Sequence, residues 1–339
     1  MLTPAKMTYR FLGDSGLLVS CLGLGSWMFP DEKYTVDAWY EMMKTAFKYG
    51  MNFFDNAESY GNGLAETNMG GAIKKGIADG IWTREDLVIT TKLFLGSKGY
   101  LLDYVDVIYC HRPEPYTPIE ETVRAMNYVI EQGWAFYWGT SQWLASDILE
   151  ACEVADRLGL IRPIVEQPQY NIFERNKVEY EFVDLYKKYK LGLTTWAPLA
   201  ERVEIADKLK PIAAELDCTL PQLATAWCAS NENVSTVMVG ASRPEQLTEN
   251  LKALDIIAKI TPEVKAKIDA VFTFSPSVPE LDVLAKIRGR HLQVKCCGIR
   301  AFIKDSCEHF VREVLNEAPI AILLQFYEVL CGNSSVAIA

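Results

Sequence analysis

The chain has 339 residues, of which half are hydrophobic and 23% charged, and a formal net charge of −10 at pH 7. That length suits one large α/β barrel or two ordinary domains, and the apolar fraction suffices for a large core. The acidic balance excludes broad binding to nucleic acid or to anionic membrane surfaces.

The opening M-L-T-P-A-K-M-T-Y-R lacks the apolar stretch of a secretory leader. Nine cysteines are scattered without C-x-x-C or metal-like spacing, and only Cys296 and Cys297 are adjacent. This usage predicts free, mostly buried thiols and a reducing, cytoplasmic setting. No uninterrupted apolar run approaches the roughly 20 residues that a membrane span requires. The longest, 319–326, is short and contains Gln325, so no direct membrane insertion is expected.

In chain order, a strand candidate at 18–24 leads to a helix at 36–49, and a strand at 52–55 to a helix at 65–78. A strand at 87–91 follows, then one at 104–110 with a helix at 118–132, and one at 135–139 with a helix at 145–158. The last units are 164–167 with 178–189, 192–196 with charged helical sequence from Glu201, and 234–239 with 244–258. Most strand candidates are continuous runs of Val, Ile and aromatic residues, as in parallel strands buried on both faces. Pro118, the Ser146-Asp147 pair, and Gly50, Gly133 and Gly159 punctuate helix ends. This alternation predicts a closed (β/α)8 TIM barrel rather than an open sheet.

Two places break the rhythm. After Lys92 only L-F-L-G-S-K-G-Y-L-L-D precedes the fourth strand candidate, whereas parallel crossovers usually carry a dozen or more residues, commonly as a helix. About ten extended residues reach about 33 Å, so the distance is no obstacle. The expected consequence is a shortened third-to-fourth-strand connection and exposed apolar surface on that barrel sector. The second irregularity follows Trp196-Ala197-Pro198-Leu199, where the chain runs straight into charged sequence. Beyond His291 the character changes, with an amphipathic helix candidate at 305–317 and a second apolar segment at 320–330. These read as an appended helical pair over apolar surface, or as a partner site.

In such a barrel functional residues gather where strands feed the following loops. Asp55, Lys92 and His111 end the second, third and fourth strand candidates, and Tyr60 lies just beyond the second. Any of these alone reads as a rim charge or a core aromatic; together they form a proton-transfer set. A phenol ionises near pH 10, and an ammonium beside it stabilises the phenolate, the role expected of Lys92 toward Tyr60. A buried ammonium needs a partner, which Asp55 supplies. His111 is then placed to donate to a carbonyl oxygen. Reduction of that carbonyl also requires a hydride, which no side chain provides.

The stretch C-L-G-L-G-S-W-M has Met28 where a dinucleotide fingerprint needs its last glycine. A Rossmann site is therefore not expected. Val239-Gly240-Ala241-Ser242-Arg243-Pro244 instead joins the last strand to a helix where barrels often bind phosphate. Gly240 allows close backbone approach, Ser242 and the helix start offer donors, and Arg243 adds charge; Ser242 also reads as a simple helix cap. Trp196 suits either stacking on a nicotinamide or a place in the core.

The motifs L-G-L-G-S-W, F-F-D-N-A-E-S-Y-G-N-G-L-A-E, V-I-T-T-K, L-D-Y-V-D-V-I-Y-C-H-R-P, W-G-T-S-Q-W, Q-P-Q-Y-N, W-A-P-L and V-G-A-S-R-P-E-Q-L-T-E-N recur in a fixed order. Their succession resembles the aldo-keto reductases, and within them the β-subunits of voltage-gated potassium channels. The resemblance implies a (β/α)8 barrel over residues 7–290, with 291–339 as an extension foreign to the family. It implies NADPH/NADP+ bound without a Rossmann domain, and a catalytic tetrad of Asp55, Tyr60, Lys92 and His111. It further implies cofactor or substrate contacts at Ser26 and Trp27, and a carboxamide site at Ser141, Gln142 and Gln167. Trp196 resembles the residue stacked on the nicotinamide, and Pro198 and Leu199 the start of a pyrophosphate loop. Gly240, Ser242, Gln246, Glu249 and Asn250 resemble the adenosine and 2′-phosphate end. The two irregularities fall where the family carries a full helix and a segment folding over the cofactor.

Three functions follow as expectations. One is NADPH-dependent reduction of aldehydes and ketones; another is a redox-sensing regulatory subunit of a potassium channel α-subunit with slow turnover, in which homotetramers are the family's form. The third is a trimmed barrel with impaired cofactor binding.

Overall fold

A short antiparallel ribbon leads the chain into the barrel: β1 (Tyr9–Phe11) pairs with β2 (Leu18–Ser20), Phe11 opposite Leu18. The computed structural model describes residues 7–27, 34–94, 104–199 and 206–282. The barrel strands are β3 (Leu22–Gly25), β4 (Phe53–Asp55), β5 (Val88–Leu93), β6 (Val105–Cys110), β7 (Ala135–Ser141), β8 (Val165–Gln167), β9 (Gly192–Thr195) and β10 (Val234–Val239). All pair in parallel with their neighbours in chain order, and β10 closes on β3. The chain is thus a (β/α)8 barrel, as its alternating pattern predicts.

Helices α1 (Val36–Lys48), α2 (Leu64–Ala78), α3 (Ile119–Glu131), α4 (Ala145–Leu158) and α5 (Val183–Tyr189) follow their strands. After β9 come α6 (Lys210–Glu215) and α7 (Leu220–Ala229), and after β10 come α8 (Pro244–Leu251), α9 (Leu254–Ile257) and α10 (Pro262–Val271). Local chemistry sets their starts. Thr35 caps α1 by accepting from the Ala38 amide, and Thr219 with Gln222 forms a reciprocal capping box on α7.

The period-2 alternation of β5 sorts its side chains. Val88 joins the barrel interior with Phe53, Val107, Tyr109, Val165 and Met238, while Ile89 packs in the layer between strands and helices. At the amino-terminal end, Leu12 and Val19 from the ribbon are fully buried in the interior cluster. Gly13 is the close approach there: its φ is +59°, and a Cβ would lie 2.2 Å from the Ile164 carbonyl oxygen.

Several expected elements are subdivided. The run at 18–24 splits, because Leu18–Ser20 belongs to the ribbon and the barrel strand starts at Leu22. The Cys21 amide donates to Thr8 O and its carbonyl accepts from Val237, so the residue serves both sheets. The helix at 178–189 begins as a π-turn over Lys177–Glu181, with Phe182 N donating to Lys177 O, before α5. That at 244–258 breaks at Lys252 and Ala253, whose amides turn back three residues. Among the described residues no helix lies between β5 and β6. The bare sector is less exposed than expected: Ile89, Thr91 and Ile108 are buried and Leu93 alone of β5 is exposed. The connecting residues 95–103, the segment 200–205 and the tail candidates at 305–317 and 320–330 lie outside the described residues, as does the whole 291–339 extension. No helix among the described residues is long and apolar enough to cross a membrane. The described cysteines, Cys21, Cys110, Cys152, Cys218 and Cys228, are all free thiols.

Candidate active site

The carboxyl ends of β4, β5 and β6 bring Asp55, Lys92 and His111 together. Register places Asp55 beside Thr90, and Lys92 beside Tyr109 on β6. Lys92 is fully buried; its Nζ lies 2.5 Å from Asp55 Oδ2 and donates to the Asn56 carbonyl at 2.6 Å. Burial pushes the ammonium toward neutrality, but the Asp55 charge and then Tyr60 outweigh it and raise its pKa. Lys92 therefore stays charged. Asp55 also accepts from Thr90 Oγ1 at 2.6 Å and from Gln167 Nε2 at 3.2 Å, so its oxygens are held on several sides.

Tyr60 opens a tight turn, Tyr60–Gly63, in which Gly61, Asn62 and Gly63 all have positive φ. Glycine and asparagine adopt that region most readily, which is why Y-G-N-G bends here before α2. The turn sets the Tyr60 ring 4.8 Å from Lys92 Nζ and edge-on to His111, with ring centroids 5.7 Å apart. His111 is held neutral. Burial, then the Lys92 and Arg112 charges, lowers its pKa to about 2. Its Nδ1 is buried and has no hydrogen-bond partner among the described residues.

Asp55, Tyr60 and His111 line a cavity of about 920 Å³ at the carboxyl end of the barrel, within the range of small-molecule and cofactor sites. Trp27, Ser141, Gln167, Trp196, Pro198 and Leu199 line it too, as do Gly240 and Asn250. Trp196 is thus a wall of the cavity, half-buried and packed against the interior cluster on its other side. It lies past the end of β9, bridged to Gln169.

The other candidates lie beside the cavity, with Asn250 alone of them on its wall. Ser26 is buried, its hydroxyl 2.7 Å from Asn56 Oδ1. Gln142 has φ +60°, an unfavourable region for its side chain. Lys177 Nζ donates to the carbonyls of Gln142, at 3.4 Å, and Trp143, at 2.6 Å. Gln246 Oε1 accepts from both the amide and hydroxyl of Ser242 at 2.9 Å. Glu249 pairs with Lys252 and accepts from Gln222, and Asn250 donates to Gly240 O at 3.2 Å. Arg243 is exposed and has no partner among the described residues. Sequence reasoning missed Thr90, Asn56 and Arg112. Only Arg112 carried a visible signal, as the residue after His111 in C-H-R-P.

Residues 21–272 match the family description "Aldo/keto reductase family". The chain belongs to the aldo/keto reductases. It is an oxidoreductase by that membership. It is 46% identical to proteins named probable voltage-gated potassium channel subunit beta in Arabidopsis thaliana and in Oryza sativa subsp. japonica, over 81% of this chain and 99% of each relative. Its fold matches a thermostable aldo-keto reductase solved in complex with the inhibitor epalrestat, at a TM-score of 0.65 and 31% identity, over 78% of this chain and all of that one. The Arabidopsis alignment spans 330 positions but only 81% of these 339 residues, about 275. Some 55 positions of that relative thus stand opposite gaps here.

Proposed function

We propose that the chain reduces aldehydes or ketones with NADPH, Tyr60 acting as the general acid. The observation that carries this is the placement of the Tyr60 ring between a buried ammonium and a neutral imidazole on the cavity wall. In this reading NADPH supplies the hydride. Lys92 favours the phenolate that remains after Tyr60 gives up its proton, and Asp55 keeps Lys92 charged. His111, neutral at working pH, donates one N–H to the substrate oxygen and orients the carbonyl. Residues 7–290 form the reductase unit, and its setting is the cytoplasm.

The residues present fit the cofactor. Ser141 and Gln167 offer amide-binding groups on the cavity wall, and Trp196 a ring face. No atom lies within 4 Å of a Cβ built on Gly240, so there is room for a phosphate beside its backbone. Ser242, with Gln246, Glu249 and Asn250, borders that end, and Arg243 supplies a cation with no side-chain partner among the described residues. Ser26, Trp27 and Gln142 frame the nicotinamide end, and Pro198 and Leu199 the pyrophosphate.

Oxidation of NADPH with 4-nitrobenzaldehyde tests the acid. Tyr60→Phe is expected to lower kcat by about 10²–10⁴-fold while NADPH still binds; unchanged turnover would remove Tyr60 from the mechanism.

A second reading is favoured by the relatives' names and by their match over 99% of their length. In it the chain is a redox-sensing β-subunit, assembled as a tetramer on a potassium channel α-subunit. Co-purification with such a subunit from membranes supports it, and failure to co-purify at saturating NADPH counts against it.

A further inference from the structure

The ladder between β6 and β7 ends at the Cys110–Thr140 pair. One residue further on, His111 and Ser141 face the same cavity from two strand ends with no backbone pairing between them. Arg112 fills this place. Its Nη1 donates to the His111 carbonyl at 2.6 Å and to Ser141 Oγ at 3.3 Å. The Ser141 hydroxyl in turn donates to the Gln167 carbonyl at 2.9 Å. The guanidinium lies 6.0 Å from the Trp196 ring centroid, and its Nε is 3.3 Å from Asp282 Oδ1, an ion pair without hydrogen-bond alignment. A side chain only 12% exposed thus touches the ends of β6 and β7, the residue after β9 and the last described segment.

We propose that Arg112 is a positioning residue whose bridge from the His111 carbonyl to Ser141 fixes the carbonyl-orienting group relative to the cofactor-holding group. The inference rests on the NADPH-dependent reading of the site. Tyr60 and His111 set where the acceptor oxygen sits; Ser141 and Gln167 set where the nicotinamide sits. The separation of these two pairs governs the distance the hydride travels. A misplacement of about 1 Å costs on the order of 100-fold in rate. The planar guanidinium serves two acceptors and a carboxylate at once, whereas a lysine offers a single ammonium.

The test compares wild type, Arg112→Ala and Arg112→Lys in the full-length chain. Kinetics use 4-nitrobenzaldehyde with NADPH or NADPH deuterated at the transferred position. NADPH affinity is read by fluorescence, and the His111 ring resonances by NMR without ligand. Arg112→Ala is expected to lower kcat about 100-fold, with little change in KM for the aldehyde and a larger deuterium isotope effect. Free guanidinium ions are expected to restore part of that loss. Arg112→Lys, which keeps charge and bulk, is expected to lose as much kcat and to shift the His111 resonances.

A kcat within about threefold of wild type in Arg112→Lys, with unmoved His111 resonances, would overturn the proposal, whether or not Arg112→Ala folds. A loss of activity that merely follows the unfolded fraction would overturn it too. If wild type neither binds NADPH nor reduces the aldehyde, the functional reading fails, and the ligand-free His111 resonances still decide whether the bridge holds the imidazole in place.

Discussion

Lys92 carries its charge without exposed surface, and Asp55 is its countercharge within the barrel. Removing one member of a buried pair leaves the other uncompensated, which typically costs about 3–5 kcal/mol. Lys92→Met should therefore lower stability by about that amount in urea denaturation; an unchanged midpoint would show that Asp55 is stabilised well enough by Thr90 and Gln167 alone. Two other buried groups give opposite pH dependences. His111 takes up a proton near pH 6.5 when unfolded but stays neutral to about 2 in the fold. Its contribution to stability is full above pH 6.5 and is lost as pH falls toward 2. Glu166, fully buried beside Thr140, has its carboxyl pushed up to about 7 by burial, against 4.5 in the unfolded chain. Its contribution is full below pH 4.5 and is lost as pH rises through 7. Glu166→Gln should therefore flatten the fall in melting temperature between those pH values; an unaltered slope would show that the carboxyl does not titrate there. Asp55, Tyr60, Lys92 and His111 were legible because strand ends can be counted along the chain. Thr90 and Glu166 were not, since a polar residue in a β-run does not reveal its partners until register aligns the strands.

At the scale of elements, the ribbon at the amino-terminal end is the feature that apolar patterning blurred. One run, 18–24, serves two sheets, and the three-residue β1 is too short to stand out. The stretch G-D-S-G between the ribbon strands is the signal that was available, since Ser15 Oγ donates to Leu12 O and Leu12 N to Leu17 O to close the turn. Gly13 has no room for a larger residue. Gly13→Ala combines a positive φ with a clash against the Ile164 backbone, so it should destabilise by more than about 1 kcal/mol. Chemical denaturation would measure this, and a loss below a few tenths would mean that the ribbon moves aside freely. The barrel itself was readable because hydrophobic strands and amphipathic helices repeat in alternation. The breaks in α5 and α8 were not, because helical periodicity continues through a π-turn or a pair of three-residue turns.

Across the whole molecule, Asp55, Tyr60, Lys92 and His111 are held together while the far end of the cavity is thinly equipped. Ser242 and Glu249 already have partners within the chain, which leaves Arg243 as the cation without one there among the described residues. The gaps against the Arabidopsis relative make this chain the shorter of the two over the matched region. Each missing charge-assisted contact to phosphate is worth about 1.5–3 kcal/mol, or roughly ten- to hundredfold in affinity. On the proposed NADPH-dependent reading, fluorescence titration should show weaker NADPH binding here than in an aldo/keto reductase that keeps both longer connections; equal dissociation constants would mean that other residues replace the missing contacts.

The ribbon also decides how traffic through the site must run. Leu12 and Val19 stopper the amino-terminal end, and the cavity opens at the other. Whatever enters the cavity must therefore come and go on the carboxyl-terminal side, never through the barrel.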